Sequence, residues 1–460
     1  MNTTVVILAA GLGTRMRSKR AKVLHRAGGL SLIEHVVQAA RSVAPSDQIA
    51  VVTGHQADAV EELLAPLGVR FARQVEQKGT GHALLCAREE MTRKSGLLMV
   101  LYGDTPLLSA ATLKELRDQQ AGSDAAATLI TTTLADPTGY GRVVVNVRGD
   151  VQSIVEHSAA RPEELAIRLI NSGIYCFRSE LAWKYLDEIE PSASGELYLT
   201  DMAAILNSHG KRVQQLHVDD SSELLGINTR VELADADRIL RGRKTRELML
   251  SGVTIERPET VTIDAQVRVG MDTVIEPFAR LTGHTAVGED CRIGQGAVLE
   301  SAALADRVVV APYTLIADSR VDPGAQVGPF ARLRMQSQVG PEARVGNFVE
   351  LKKTRFGERA KSQHLAYLGD SDIGADVNIG AGTITCNYDG EKKHVTKISA
   401  GAFVGSNSTL VAPVEIGEGS YIGAGSVITQ DVPDHALALG RERQVVKLGW
   451  AAKRKKKKQE

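Results

Sequence analysis

Between about Val261 and Ile428 the chain carries an aliphatic residue every six positions, a period that few folds can satisfy. Val269, Ile275, Leu281, Val287, Ile293 and Leu299 keep the step, and after a slip it resumes at Val309, Leu315, Val321, Val327, Leu333, Val339, Val345 and Leu351. Ile373 and Ile379 hold it after a second break, and Ile398, Val404, Leu410, Ile416, Ile422 and Ile428 after a third. Six matches neither the 3.6 of a helix nor the alternation of a long strand. It marks a parallel β-helix, in which each hexapeptide makes one short face and three make a coil. Glycine follows the aliphatic at Val269, Val287, Ile293, Val327, Ile373 and Ile416, where a tight corner needs freedom in φ. Strands of a β-sandwich recur every 8–12 residues with turns between, so the spacing speaks against that fold. Stacked at roughly 4.8 Å, about ten coils make a rod on the order of 50 Å long.

At 460 residues the chain exceeds one ordinary core, which predicts two or three domains. Its 55 basic and 55 acidic residues cancel, so no global charge points to nucleic acid or an anionic membrane. Cys86, Cys176, Cys291 and Cys386 have no paired spacing, which argues against both a disulfide framework and a cysteine zinc site. Val5-Val6-Ile7-Leu8 follows the start with no basic segment or cleavage site before it, and no 18-residue apolar run occurs. The expected compartment is the cytoplasm, without membrane insertion.

From Thr4 to about Leu225, strands near Thr4–Leu8, Gln48–Thr53, Leu97–Leu101 and Ala125–Thr132 alternate with helices near Leu32–Val43, Ala57–Leu64 and Ala110–Gln120. Ser31 and Glu34 form the pattern of a capping box. Alternation of this kind predicts a mainly parallel sheet covered on both faces, with ligands at the carboxyl ends of its strands. At the first such end stands Leu8-Ala9-Ala10-Gly11-Leu12-Gly13-Thr14-Arg15-Met16, whose glycines let backbone N–H groups approach phosphate oxygens. Met16 occupies the third glycine position of the dinucleotide fingerprint and no Gly-Lys-Ser/Thr follows, so neither a Rossmann dehydrogenase nor a P-loop NTPase fits. Taken alone, Asp104 is equally a turn residue before Pro106, and Lys22 a solvated charge. From Thr229 to Ser251 the chain is charged and lacks turn signals until Gly242, as a helical connector would.

The phosphate loop together with Lys22-Val23-Leu24 is similar to the signature of the sugar-1-phosphate nucleotidylyltransferases. Gln74, Gln77-x-Gly79-Thr80-Gly81-His82-Ala83, Tyr102-Gly103-Asp104, Asp136-Pro137-Thr138-Gly139-Tyr140-Gly141-Arg142, Ile154-Val155-Glu156, Asn171-x-Gly173 and Gly195-Glu196-x-Tyr198-x-Thr200-Asp201 follow in the order that family shows. With the hexapeptide repeat, nearly the whole chain resembles the bacterial family of bifunctional glucosamine-1-phosphate acetyltransferases and N-acetylglucosamine-1-phosphate uridylyltransferases. The resemblance implies a Rossmann-like nucleotidyltransferase domain at 1–228, a linker at 229–251, a left-handed parallel β-helix at 252–440 and a basic tail at 441–460.

It also implies the sites. Leu8, Ala9, Ala10, Gly11, Gly13, Thr14, Arg15, Lys22, Gln74, Gly79, Thr80, Tyr102 and Gly103 would bind UTP, with Gln74, Gly79 and Thr80 facing the uracil. Gly139, Glu156 and Asn171 would hold the sugar, and Asp104 and Asn228 a Mg²⁺ ion. In the β-helix, His364 would be the general base, and Arg334, Lys352, Tyr367, Asn378 and Lys393 would take glucosamine 1-phosphate. Ala381, Asn387, Tyr388, Ser406, Ala424 and Arg441 would line the acetyl-CoA channel, with Ser406 on the developing oxyanion. His364 and the stretch Asn387–Lys393 fall in breaks of the repeat, where loops are expected to leave the coil and build a site. The implied assembly is a homotrimer with sites where subunits meet. The family has proline where Ala21 stands, and often proline and glycine where Met335 and Gln336 stand.

Three other readings compete. A monofunctional nucleotidylyltransferase with a regulatory β-helix would not need the His364 and Asn387–Lys393 insertions, and a mere scaffold would not need the phosphate loop with Asp104. A β-helix hydratase would need histidines meeting at a metal, and His284, His364, His394 and His435 show no such spacing. The run Lys453-Arg454-Lys455-Lys456-Lys457-Lys458 lacks aromatics and amphipathic pattern, so it is expected to be a solvated end.

Overall fold

The computed structural model describes residues 2–91, 96–192 and 195–456. The end of the basic tail, 457–460, lies outside the described residues. The chain divides into two compact units, Met1–Arg241 and Gly242–Glu460.

In the first unit the described residues form a nine-stranded sheet. Its order is Val213–His217, Ala127–Thr133, Leu169–Arg178, Leu97–Tyr102, Thr3–Leu8, Ile49–Thr53, Arg70–Arg73, with Arg142–Val145 and Val151–Val155 attached beside Leu169–Arg178. Pairing is parallel along the sheet except that Leu169–Arg178 runs antiparallel to Leu97–Tyr102, Ala127–Thr133 and Arg142–Val145, and Arg142–Val145 runs antiparallel to Val151–Val155. Alternate residues of the first strand feed two buried layers, Val5 and Ile7 one and Val6 and Leu8 the other. Helices Leu32–Ala40, Ala57–Leu64 and Ala110–Ala121 stand where the alternation predicts them. The Ser31 hydroxyl accepts from the Glu34 N–H at 3.2 Å while Glu34 accepts from the Ser31 N–H at 2.7 Å, closing the capping box.

Helix Arg230–Leu250 runs through Gly242, so that glycine does not end it. Its first half belongs to the first unit: Leu233, Ala236, Ile239 and Leu240 pack with Ala27, Leu32, Leu107 and Ile227. Asp237 accepts the Gly28 N–H at 2.7 Å.

The second unit is a parallel β-helix whose strands are two or three residues long, apart from the nine-residue Arg344–Lys352 and Lys361–Gly369. One nineteen-strand ladder forms two of its faces and a separate nine-strand ladder the third. Its interior is a single, mostly aliphatic column of side chains from Val253 to Val432, with Cys291 and Phe356 among them.

Two points of the repeat differ from the sequence reading. Val309 and Leu315 are 37% and 47% exposed, while Val310 and Ile316 are buried. The buried series drops one residue between Leu299 and Leu304 and another between Ile316 and Val321, so the phase read from the sequence is one residue out in between and correct again from Val321. A one-residue slip sends each side chain to the opposite face, and Val308-Val309-Val310 and Leu315-Ile316 offer an aliphatic in either phase. The expected break between Leu351 and Ile373 is also absent. Phe356, Ser362 and Leu368 fill the interior there, and strands Arg344–Lys352 and Lys361–Gly369 pair in register. The coil continues, with a phenylalanine and a serine where the pattern has aliphatics. Among the described residues of the repeat, 387–394 leaves the coil as a loop closed by a bridge between Tyr388 and Lys393.

Candidate active sites

The first site grows from the point where the parallel strands change direction of crossover. Thr3–Leu8 has Ile49–Thr53 on one side and Leu97–Tyr102 on the other, and Leu8 pairs with Tyr102 at the shared carboxyl end. A cleft of about 600 Å³ opens there, lined by Leu8, Ala9, Ala10, Gly11, Gly13, Thr14, Arg15, Lys22, Gln74, Gly79, Thr80, Tyr102, Asp104 and Asn228. A hollow of about 290 Å³ is lined by Gly139, Glu156 and Asn171. Arg15, Tyr102, Asp104 and Asn228 line both, so they mark the border between the two spaces. Gly103 sits behind this wall, donating to the Leu8 carbonyl at 2.9 Å.

Charge gathers on that border. The Lys22 ammonium donates to the Asp104 carboxylate and, at 3.1 Å, to the Asn228 side-chain oxygen. Arg15 donates to the same Asn228 oxygen at 2.9 Å. Gly13, with φ of 61°, can only be glycine, because a Cβ there would stand 2.6 Å from Lys22 Cβ. The loop glycine and the lysine are therefore one packed unit. Ala21 takes φ −54°, which proline would also permit, but its N–H donates to Gln56 Oε1 at 2.8 Å and Gln56 Nε2 donates to the Lys19 carbonyl at 2.6 Å. Gln56 thus clamps the segment before Lys22 through an N–H that proline lacks.

On the sugar side, burial pushes the Glu156 carboxyl above its usual range, against a 3.1 Å hydrogen bond from Thr200. Asn171 donates to the Tyr175 hydroxyl at 2.7 Å and accepts the Gly173 N–H at 3.1 Å, which fixes its amide. Glu232 was missed in the sequence. It accepts from the N–H groups of Asn228 at 2.6 Å and Thr229 at 2.8 Å, while Thr229 Oγ1 accepts from the Glu232 N–H at 3.2 Å. The spacing Thr229-x-x-Glu232 is a capping box that could have been found, and it seats Asn228 at the start of a helix.

Asp104 and Asn228 offer hard oxygen donors, one anionic and one neutral, that fit a Mg²⁺-type ion completed by phosphate oxygens and water. Gly226 leaves the carboxylate open on one side, since a Cβ there would stand 3.7 Å from both Asp104 oxygens. The Lys22 ammonium already brings positive charge to these two oxygens.

In the second unit a buried ion pair organises the charged candidates. Lys352 Nζ lies 2.7 Å from Asp370 Oδ2, with side-chain exposures of 6% and 8%. Asn387 also donates to Asp370. Burial opposes both charges, but the pairing prevails: Asp370 is held below its ordinary value and Lys352 above. The Lys352 side chain beside it pushes Lys393 down, and Arg334 adds to that. Gly369 must lack a side chain, since a Cβ there would stand 2.5 Å from the Tyr367 hydroxyl and 2.9 Å from Asn387 Nδ2. Arg334, Lys352, Tyr367, Asn387 and Lys393 are thus brought together, with Glu350 accepting from Arg334 Nε at 2.6 Å. Met335 and Gln336 take φ of 57° and 62°. Proline cannot adopt such a φ at the first position, so this corner is shaped differently from one carrying proline.

Asn378 stands apart. Its strand pairs through Lys361 and Phe403, whereas Tyr367 pairs through Glu350 and Ile384, so the two lie on different faces of the coil. Asn378 lines a polar cleft of about 390 Å³ with Arg344, Lys361 and Asp376. His364 sits within the strand Lys361–Gly369, exposed, at the turn between those faces. Among the described residues its ring has no hydrogen-bond partner.

His364, Ala381, Ser406 and Ala424 occupy one corner of successive coils. Gly382 donates to the Leu365 carbonyl, Asn407 to Ala381, each at 2.7 Å, and Gly425 to Ser406 at 2.8 Å. Ser406 is therefore two coils from His364, about 10 Å at strand spacing. Tyr388 opens the 387–394 loop, where the Lys392 N–H, the His394 ring and the Glu391 N–H hold the Asp389 carboxyl well below the usual carboxylate range. Arg441 is exposed beyond the strand Leu437–Ala438.

Residues 5–165 match the MobA-like NTP transferase domain, and 396–430 match the bacterial transferase hexapeptide (six repeats). Fold, clefts and matches together define a transferase that joins a nucleotidyltransferase to a hexapeptide acyltransferase. Over 454 residues the chain is 55% identical to the bifunctional protein GlmU of Solibacter usitatus, covering 98% of this chain and 97% of that one. Identity is 49% over 455 residues with GlmU of Koribacter versatilis, covering 98% and 97%, and 48% over 457 residues with GlmU of Brevibacillus brevis, covering 99% and 98%. The chain belongs to the GlmU family of bifunctional proteins. It is a transferase with uridylyltransferase and acetyltransferase activities, acting on small molecules, and its nucleotidyltransferase class implies a divalent metal ion. Among the described residues no helix is long and apolar enough to cross a membrane.

Proposed function

We propose that the strand-end cleft binds UTP, that the adjoining hollow binds N-acetylglucosamine 1-phosphate, and that UMP passes between them at the border formed by Arg15, Asp104 and Asn228. A sugar-phosphate oxygen attacks the α-phosphorus of UTP in line, the bond to the β-phosphate oxygen breaks and pyrophosphate leaves. Lys22, Arg15 and the Gly11–Thr14 backbone take up the negative charge of the phosphates. Asp104 and Asn228 hold Mg²⁺, which when bound neutralises charge on the reacting phosphates. The observation that carries this reading is that the sugar-side and nucleotide-side candidates line two spaces sharing one charged border.

Acetyl transfer to glucosamine 1-phosphate takes place at the coil corner. His364 accepts the proton as the amine nitrogen attacks the thioester carbon, the C–S bond breaks, and the CoA thiolate leaves. The Arg334, Lys352 and Lys393 cluster holds the sugar phosphate and Tyr367 the sugar, while Ala381, Asn387, Tyr388, Ser406, Ala424 and Arg441 line the path of acetyl-CoA. The working form is a cytoplasmic homotrimer in which a second copy brings its Asn378 face to this cluster. A row of exposed, stacked rings, Tyr313, Phe330 and Phe348, each 5.4 Å from the next, supports a surface that assembly covers. The test is a pair of assays on the purified protein with light scattering. Chelation should abolish pyrophosphate release from UTP, with Mg²⁺ restoring it, while CoA release with glucosamine 1-phosphate persists in a particle about three times 49.3 kDa. Metal-independent pyrophosphate release, or an active monomer, refutes the corresponding part.

A further inference from the structure

Gln74 is buried at the end of the strand-end cleft, and both of its side-chain N–H groups are committed. Nε2 lies 3.0 Å from the Gly79 carbonyl and 3.0 Å from His82 Nδ1. A carbonyl can only accept, so the Gly79 contact identifies which end of the amide is nitrogen. The second N–H is then directed at His82 Nδ1, which must be the nitrogen carrying a lone pair. The ring proton is left on Nε2, facing Cys86 Sγ at 4.0 Å. The ring itself is anchored, because its helix Thr80–Cys86 is tied to the neighbouring segment by Gly81 N–H to the Leu197 carbonyl at 2.8 Å and by Leu199 N–H to Thr80 Oγ1 at 3.0 Å. Among the described residues Gln74 Oε1 has no partner, and Gln74 lines the cleft.

We propose that His82 is a specificity-determining positioning residue: by accepting from Gln74 it locks the amide so that only an acceptor faces the nucleobase, admitting uracil and rejecting cytosine. Uracil presents N3–H, which an amide oxygen can accept, whereas N3 of cytosine is itself an acceptor and would meet that oxygen lone pair to lone pair. Without His82 the amide loses one of the two partners that fix its orientation and can turn its NH₂ toward the base. The inference rests on the reading that Gln74 faces the base.

The experiment measures pyrophosphate release by the full-length protein with N-acetylglucosamine 1-phosphate as acceptor and UTP, CTP or 5-methyluridine triphosphate as donor. His82→Leu should lower the UTP-over-CTP ratio of kcat/KM by roughly tenfold or more, mainly through a raised KM for UTP. The ratio of UTP to 5-methyluridine triphosphate, which share N3–H, should not move, nor should acetyl transfer. His82→Asn, whose Oδ1 can accept where Nδ1 did, should keep the UTP-over-CTP ratio within about threefold. A His82→Leu protein that keeps the ratio at whatever absolute rate overturns the proposal, and so does a folded His82→Asn protein that loses it. The asparagine arm decides alone if the leucine variant does not fold. Gln74→Leu tests the underlying reading separately: if that variant still prefers UTP, Gln74 does not face the base.

Discussion

The strand-end cleft and the coil corner solve the same problem, gathering distant residues around a sugar phosphate, by opposite geometries. In the α/β unit, Arg15, Asp104, Glu156 and Asn228 come from four separate parts of the chain and line spaces that adjoin. Parallel strands all end on one side, so each strand-to-helix loop delivers its side chains to the same crevice. In the β-helix each coil touches only the coils above and below, and a residue keeps its angular position from coil to coil. His364, Ala381, Ser406 and Ala424 consequently form a column, while Asn378 and the Arg334 cluster remain on separate faces. A solenoid can gather a site only by extruding a loop, as 387–394 does, or by meeting a second copy.

The largest expected effects test whether the two regions are independent. Asp104→Ala should lower uridylyl transfer by roughly 10² to 10³-fold, the scale of losing a preorganised charge, and leave acetyl transfer near normal. His364→Ala should lower acetyl transfer by roughly 10² to 10⁴-fold and leave uridylyl transfer untouched. Equal loss of both activities in either variant, in a protein that still folds and assembles, removes the distinction.

A smaller effect tests how the solenoid completes its site. Arg334→Ala and Asn378→Ala should each lose most acetyl transfer, yet co-expressed chains should recover up to roughly one quarter of the wild-type rate, the share of sites that random mixing leaves with both residues intact. A mixture no better than its parents places both residues in one chain's site. Mixing two variants of the strand-end cleft, Asp104→Ala and Glu156→Ala, should recover nothing.

The smallest effect concerns the Lys22 segment. Gln56→Ala removes two hydrogen bonds, together about 1–3 kcal/mol, and should lower kcat/KM for UTP by roughly tenfold. Ala21→Pro forfeits one of those bonds but fixes φ near the −54° already present, so it should be close to neutral. Added to Gln56→Ala, it should restore part of the loss. Strictly additive effects of the two changes would mean that the clamp does not act through the backbone ahead of Lys22.

Local order was legible from the sequence because period and capping are local. The hexapeptide period predicts the β-helix, alternation predicts a doubly covered sheet, and Ser31 with Glu34 predicts a cap that the structure contains. The same cue at Thr229 and Glu232 went unread only because no strong apolar period follows it. What the sequence by itself could not determine was phase and meeting. Val308-Val309-Val310 satisfies the hexapeptide in more than one register, and only the ladder of neighbouring coils selects Val310 for the interior. The run from Leu351 to Ile373 looked like a break because Phe356 and Ser362 are not aliphatic; stacking on the coils above and below makes it a regular coil, so His364 rests on a strand rather than a free loop. The Gln56 clamp, the Lys352–Asp370 pair and the Gln74–His82 contact join residues whose spacing follows no rule, since hydrogen-bond partners there are set by which backbone segments the finished core brings within 3 Å of one another.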